Sequence, residues 1–191
     1  MHETYEERRF CVGPGEWEGR VERLRAAAGA AFFGVFRGQI GLEANEGVLL
    51  TAHPDAAKLA LAVGALRAAS ADARDVRTER MVATVRPVEP TPPTQPGVYA
   101  FRTFEIRDAD SAEFTSLSER AWPEFEASYD ARIVGLWKSL DVRAPDARFH
   151  LLTRYASLAT WEASRADVGR PEFARRHKLT RKTLVVTTTL A

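Results

Sequence analysis

Tyr99-Ala-Phe-Arg102-Thr-Phe104 is the stretch that decides the fold, because an earlier stretch carries the same pattern. Tyr5-Glu-Glu-Arg8-Arg-Phe10 has Tyr-x-x-Arg-x-Phe at an offset of 94 residues. The residues after each copy also recur in order. Gly34-Val-Phe36-Arg37 answers to Gly135-Leu-Trp137-Lys138, Leu49-Leu-Thr51 to Leu151-Leu-Thr153, and Met81-Val-Ala-Thr84 to Thr183-Leu-Val-Val186. The later offsets are 101 and then 102, so the second copy has a first helix longer by about two turns. Self-similarity at this period reads as a duplicated domain.

Within each copy the periodicities give the element order. Residues 4–12 alternate as a strand, and Gly13-Pro14-Gly15 ends it. Trp17, Val21, Leu24 and Ala28 then follow helical spacing on one face. Residues 32–40 and 48–52 read as strands. Asp55 caps a helix carrying Ala57, Leu61 and Ala65, and residues 78–86 read as a fourth strand. The second copy repeats the series. A strand over 98–107 leads to a helix with Phe114, Leu117, Ala121, Phe125 and Tyr129 inward, with a kink expected at Pro123. Strands at 133–138 and 149–155 follow, then a helix over 157–166, a further helix opened by Pro171, and a β-branched last strand over 184–190. The predicted fold class is α+β, two ferredoxin-like βαββαβ repeats. The boundaries are residues 1–86, a linker over 87–97 and residues 98–191. The linker holds Pro87, Pro90, Pro92, Pro93 and Pro96, which favour an extended polyproline II path.

Duplication has a physical consequence. Each unit covers one sheet face with helices and leaves the other bare. Two units on one chain can pack their bare faces together about a pseudo-two-fold axis and enclose a space between the sheets. Strand alternation puts Tyr5, Glu7, Arg9 and Cys11 on one side, with Tyr99, Phe101, Thr103 and Glu105 on the equivalent side. That side is expected to face the enclosed space, while Phe10, Val12, Phe104 and Ile106 go under the helices.

Composition bounds the partners. A net charge of +1 argues against a broad nucleic-acid surface. No apolar run approaches the roughly 18 to 20 residues that span a bilayer. Met1 to Arg9 lacks the hydrophobic core of a signal peptide, and one cysteine, Cys11, excludes an internal disulfide. A cytoplasmic protein is expected, with a homodimer beyond the internal pseudo-dimer left open.

The candidate chemistry is sparse. His150, on a predicted strand, could act as acid or base, against the commoner role of a hydrogen-bonded structural residue; its counterpart is Val48. Glu105 could be a base if buried, or an exposed strand-end carboxylate. Arg8 and Arg102 hold equivalent positions, where a guanidinium could grip a carboxylate or enolate. Each could equally pair with a neighbouring Glu, and their sharing a side with Phe10 and Phe104 favours that. Tyr5, Tyr99, Phe101, Trp122, Trp137 and Tyr155 are candidate pocket walls or simply core, with Arg154 beside them. His2, His53 and His177 show no metal-ligand spacing, so no metal site is expected; no cofactor is expected either, although a haem needs only one histidine and stays open as an alternative. The run Arg175 to Lys182 reads as a solvated helix end or an anion-binding patch.

Tyr99-Ala-Phe-Arg-Thr-Phe-Glu-Ile, Ile133-Val-Gly-Leu-Trp and Phe149-His-Leu-Leu-Thr-Arg-Tyr resemble the NIPSNAP family of the dimeric α/β-barrel superfamily. The resemblance is specific over 98–191 and faint over 4–86, where Phe36 and Ala52 stand for Trp137 and Arg154. It implies a ferredoxin-like barrel, normally made from two chains and here from one. It brings no settled catalytic motif. The superfamily includes cofactor-independent monooxygenases, isomerases, dehydratases and haem proteins. The functional expectation is a cofactor-independent enzyme (oxygenase, isomerase, cyclase or dehydratase type) acting between the sheets on an apolar or aromatic substrate, which could be anionic. The alternative is a non-catalytic ligand-binding or protein-interaction module.

Overall fold

In the computed structural model, which describes residues 3–70, 74–166 and 170–191, both repeats take the expected order. The first runs strand β1 (Thr4–Cys11), helix α1 (Trp17–Ala28), strands β2 (Phe32–Ile40) and β3 (Glu46–His53), helix α2 (Ala56–Ala69) and strand β4 (Arg74–Ala83). The second runs β5 (Val98–Arg107), α3 (Ser111–Ser128), β6 (Ala131–Ser139), β7 (Asp146–Tyr155), α4 (Leu158–Arg165), α5 (Pro171–Leu179) and β8 (Thr180–Leu190). His2 lies outside the described residues.

Local chemistry explains the boundaries. The Asp55 carboxylate accepts the Lys58 amide at 2.8 Å, and Ser157 Oγ accepts that of Thr160 at 3.1 Å. Both side chains satisfy an amide that the first helical turn leaves without a partner. Pro171 sits in the first turn of α5, where its missing N–H costs nothing. Helix α3 runs through Pro123 as one element.

All strand pairs are antiparallel and close a barrel in the order β1-β3-β2-β8-β5-β7-β6-β4. The bare faces therefore meet as opposite walls of one barrel, because each repeat also lends its edge strands to the other. β2 joins β8, from Phe36 opposite Leu190 to Ile40 opposite Thr187, and β4 joins β6 from Met81 to Ala83. Closure removes the exposed sheet edges along these junctions.

The registers refine one sequence match. Tyr5 pairs with Ala52 and Met81, and Tyr99 pairs with Arg154 and Thr188. Met81 thus corresponds to Thr188, not to Thr183. The single helix α2 is answered by the pair α4 and α5, whose extra residues move the last strand further along the chain.

Three apolar clusters fill the fold. Phe10, Val21, Leu24, Val35, Leu49 and Leu66 lie under α1 and α2. Phe104, Ile106, Phe114, Trp122, Phe125, Leu136, Phe149 and Leu151 lie under the second helical layer. The third cluster is the barrel interior: Tyr5, Phe33, Phe36, Val48, Leu50, Met81, Tyr99, Phe101, Trp137 and Leu152. The Tyr99 side does face inward. Its rings fill that end of the barrel, with Tyr5 and Trp137 centroids 5.4 Å apart and Phe36 and Phe101 at 5.1 Å. Each such side chain contributes roughly 2 to 3 kcal/mol by burial.

The linker crosses one end of the barrel as a strap. The Tyr99 hydroxyl donates to the Gln95 carbonyl at 2.6 Å, and Arg154 donates to the Pro96 carbonyl at 3.0 Å. Gly97 holds φ at +145°, and a Cβ there would collide with the Tyr155 carbonyl.

Candidate functional site

The polar residues fall into two separate places. One is the barrel interior beyond the aromatic cluster. There His150 reaches from β7 to the N-terminal repeat, with Nδ1 3.1 Å from Glu7 Oε2 and Nε2 3.3 Å from Glu79 Oε1. The Nε2 contact has ion-pair distance without hydrogen-bond geometry. Arg9 donates to Glu7 at 2.9 Å, and Arg148 to Glu79 at 3.1 Å. Burial alone would push His150 down, but the charges of Glu7 and Glu79, with the hydrogen bond to Glu7, outweigh it and raise its pKa to about 9. Burial would likewise raise the two carboxyls. His150, with Arg9 at Glu7 and with Ser139 and Arg148 at Glu79, holds both at about 2.

This network is saturated. His150 is 5% exposed, and every charge in it already faces an opposite one. Glu105 belongs to its outer rim, half-buried and 3.5 Å from Arg148. The aromatic candidates Tyr5, Phe101 and Trp137 border neither of the cavities described below, because they pack on one another. The expected chamber between the sheets is therefore filled at its apolar end and ion-paired at the other.

The second place is outside the barrel wall, between the C-terminal sheet and its helices. A cavity of about 650 Å³ lies there, walled by Phe104, Trp122, Phe125, Ile133, Leu151, Tyr155, Phe173 and Val185. Of the candidate pocket residues, it takes Arg102, Trp122 and Tyr155. Arg102 rises from the helix-facing side of β5, half-buried because its guanidinium opens on the cavity. Arg176 enters from α5, 7% exposed, stacked over Phe173 at 4.9 Å and Phe104 at 5.1 Å. It donates to Ser118 Oγ at 3.2 Å. Arg165, His177 and Lys178 complete the basic lining, with Thr153, Ser164, Thr180 and Thr183 as hydroxyls. No carboxylate lines the cavity among the described residues.

Electrostatics mark this as an unfinished site. Burial lowers the pKa of Arg102, and the nearby Arg165 charge adds to the effect. Burial also pushes Arg176 down, to about 9, with the Arg102 charge contributing. Two guanidiniums thus share an apolar cavity with no counter-ion among the described residues. The equivalent Arg8 differs in one respect. It is buried under α1 and α2 but donates to Glu6 Oε1 at 2.7 Å, and the residue matching Glu6 is Ala100.

A smaller cavity of about 570 Å³ lies under the strap, bordered by Pro92, Pro93, Gln95, Tyr99, Arg132 and Arg154. Arg154 there is engaged with Asp130 at 2.8 Å and with the strap carbonyl. Arg176 was hidden in the sequence inside the basic run 175–182. Its signal was the three-residue spacing Phe173, Arg176, Leu179, which puts it on the buried face of α5.

Comparison with known proteins agrees with this architecture. Residues 99–187 match the sequence pattern of the NIPSNAP family. No curated protein sequence matches the chain. Among solved structures, the fold is similar to a candidate monooxygenase from Lactobacillus acidophilus, at TM-score 0.62 and 10% identity over 100% of this chain and 94% of that one. It is similar to a variant of the chlorite dismutase from Candidatus Nitrospira defluvii, at TM-score 0.63 and 12% identity over 98% and 91% of the chains. It is also similar to a haem-binding protein from Thermus thermophilus, at TM-score 0.57 and 14% identity over 99% and 90%. These likenesses concern the fold. Over residues 99–187, within the C-terminal repeat of this barrel, the chain is similar to the NIPSNAP family.

Proposed function

We propose that the protein binds a small organic anion in the cavity between the C-terminal sheet and its helices. The anionic group lies against Arg102 and Arg176, and an apolar or aromatic body lies against Trp122, Phe125, Phe173 and Tyr155. The observation that carries this is that no described residue supplies a counter-ion. Where Arg8 has Glu6, Arg102 has Ala100 and an open cavity. A bound carboxylate or enolate would supply the absent charge in a water-poor setting, where paired guanidiniums bind it strongly. The division into a repeat over 1–86, a strap over 87–97 and a repeat over 98–191 belongs to the same reading.

An enzyme acting at this site is the second reading. Neighbours named as a monooxygenase and a chlorite dismutase favour it. So does the chemistry of the pair, since two guanidiniums lower the cost of forming an enolate beside them. The residues do not fit a haem iron. His177 is the one histidine lining the cavity and lies exposed at its rim, and the two guanidiniums that mark the site carry no free lone pair for a metal. Native mass spectrometry of the purified protein tests the binding reading. A retained organic acid supports it. Failure of every aryl or alkyl carboxylate to raise the melting temperature contradicts it.

A further inference from the structure

The barrel interior breaks its own pseudo-two-fold symmetry. Glu7 pairs in register with Glu79, as Phe101 pairs with Val186. Arg9 pairs with Val48, as Thr103 pairs with His150. The symmetry therefore maps Glu7, Glu79 and His150 onto Phe101, Val186 and Val48. The first set is a buried ion triad. In the second set, Val48 and Phe101 belong to the aromatic core and Val186 packs against it.

The triad is also divided between the repeats. Both carboxylates come from the N-terminal repeat and the imidazole from the C-terminal one. From this division we infer that the inner face of each repeat is a recognition surface for the other repeat and rejects a second copy of itself. A barrel of two C-terminal repeats would set each His150 against Phe101 and Val186, an imidazole buried with no carboxylate. A barrel of two N-terminal repeats would set Glu7 and Glu79 against Val48, carboxylates buried with no cation from the facing sheet. Either mismatch should lower pairing on the order of a hundredfold or more, since removing one member of a buried pair leaves the other uncompensated. The aromatic residues give both kinds of barrel similar apolar faces, so they supply adhesion without choice of partner. The same logic protects the full chain from linking to its neighbours through like repeats.

The test uses the full chain with a protease site placed in the strap, folded first and cleaved afterwards. Cleaved protein is mixed with an isotopically labelled batch, and the complexes are weighed by native mass spectrometry. The expected result is that every complex contains one N-terminal and one C-terminal fragment, whatever the label. Like pairs in statistical proportion would overturn the inference, and so would fragments that separate without pairing again. A second measurement uses the uncleaved chain with Glu7→Phe, Glu79→Val and His150→Val, each residue replaced by its symmetry mate. Refolded at high concentration, this variant is expected to form multimers joined through like repeats, while the unaltered chain returns to its original size. If the variant also returns to that size, the triad does not choose the partner.

Discussion

Arg102 and Arg176 face one cavity from opposite layers, the sheet and helix α5, and no carboxylate stands between them among the described residues. Their mutual repulsion is the cost that an anionic ligand would remove. A site of this kind should be less stable when empty than an apolar replacement would be.

The first prediction compares two residues related by the pseudo-symmetry. Arg8→Met should destabilise the fold by about 3 kcal/mol, because it leaves Glu6 buried without its cation. Arg102→Met should leave the ligand-free protein as stable as before or more stable by about 1 kcal/mol, because it removes a half-buried charge that no described residue pairs. Chemical denaturation of the two variants measures the difference.

Stability should also depend on pH through the interior triad. The pKa of His150 is raised from 6.5 to about 9, so its contribution is complete below 6.5 and lost as pH rises through 9. Glu7 and Glu79 are lowered from 4.5 to about 2, so theirs is complete above 4.5 and lost as pH falls through 2. Melting temperatures should therefore be highest between 4.5 and 6.5. The alkaline decline should flatten in His150→Val, at the cost of a lower maximum.

The strap gives a third prediction. Gly97→Ala places a Cβ on a backbone at φ +145° and against the Tyr155 carbonyl. The substitution should cost roughly 2 kcal/mol, or displace the strap from Tyr99 and Arg154. Limited proteolysis over residues 87–97 distinguishes the two outcomes.

Much of this architecture was legible in the repeated Tyr-x-x-Arg-x-Phe phrase, because strand alternation and helical spacing are local signals. The inward side of β5, the cap at Asp55 and the match of Val48 to His150 could all be read from one chain. Closure through β2 with β8 and β4 with β6 could not, since long-range edge pairing leaves no local pattern. The partners of His150 were hidden for the same reason: Glu7 lies 143 residues away. The location of the cavity was missed for a packing reason. Both faces of the C-terminal sheet carry aromatic residues, and periodicity does not say which set leaves space. One clue was in view, Ala100 standing where Glu6 stands, and it gains meaning only once Arg102 is seen to be enclosed.

The most direct measurement is calorimetric titration of aryl and alkyl carboxylates, each against its own carboxamide, into the unaltered protein and into Arg102→Met. At least one carboxylate should bind about tenfold or more tighter than its amide, with that preference lost in the variant. Equal affinity for acid and amide throughout, or a preference that survives the loss of Arg102, would contradict anion binding at this pair.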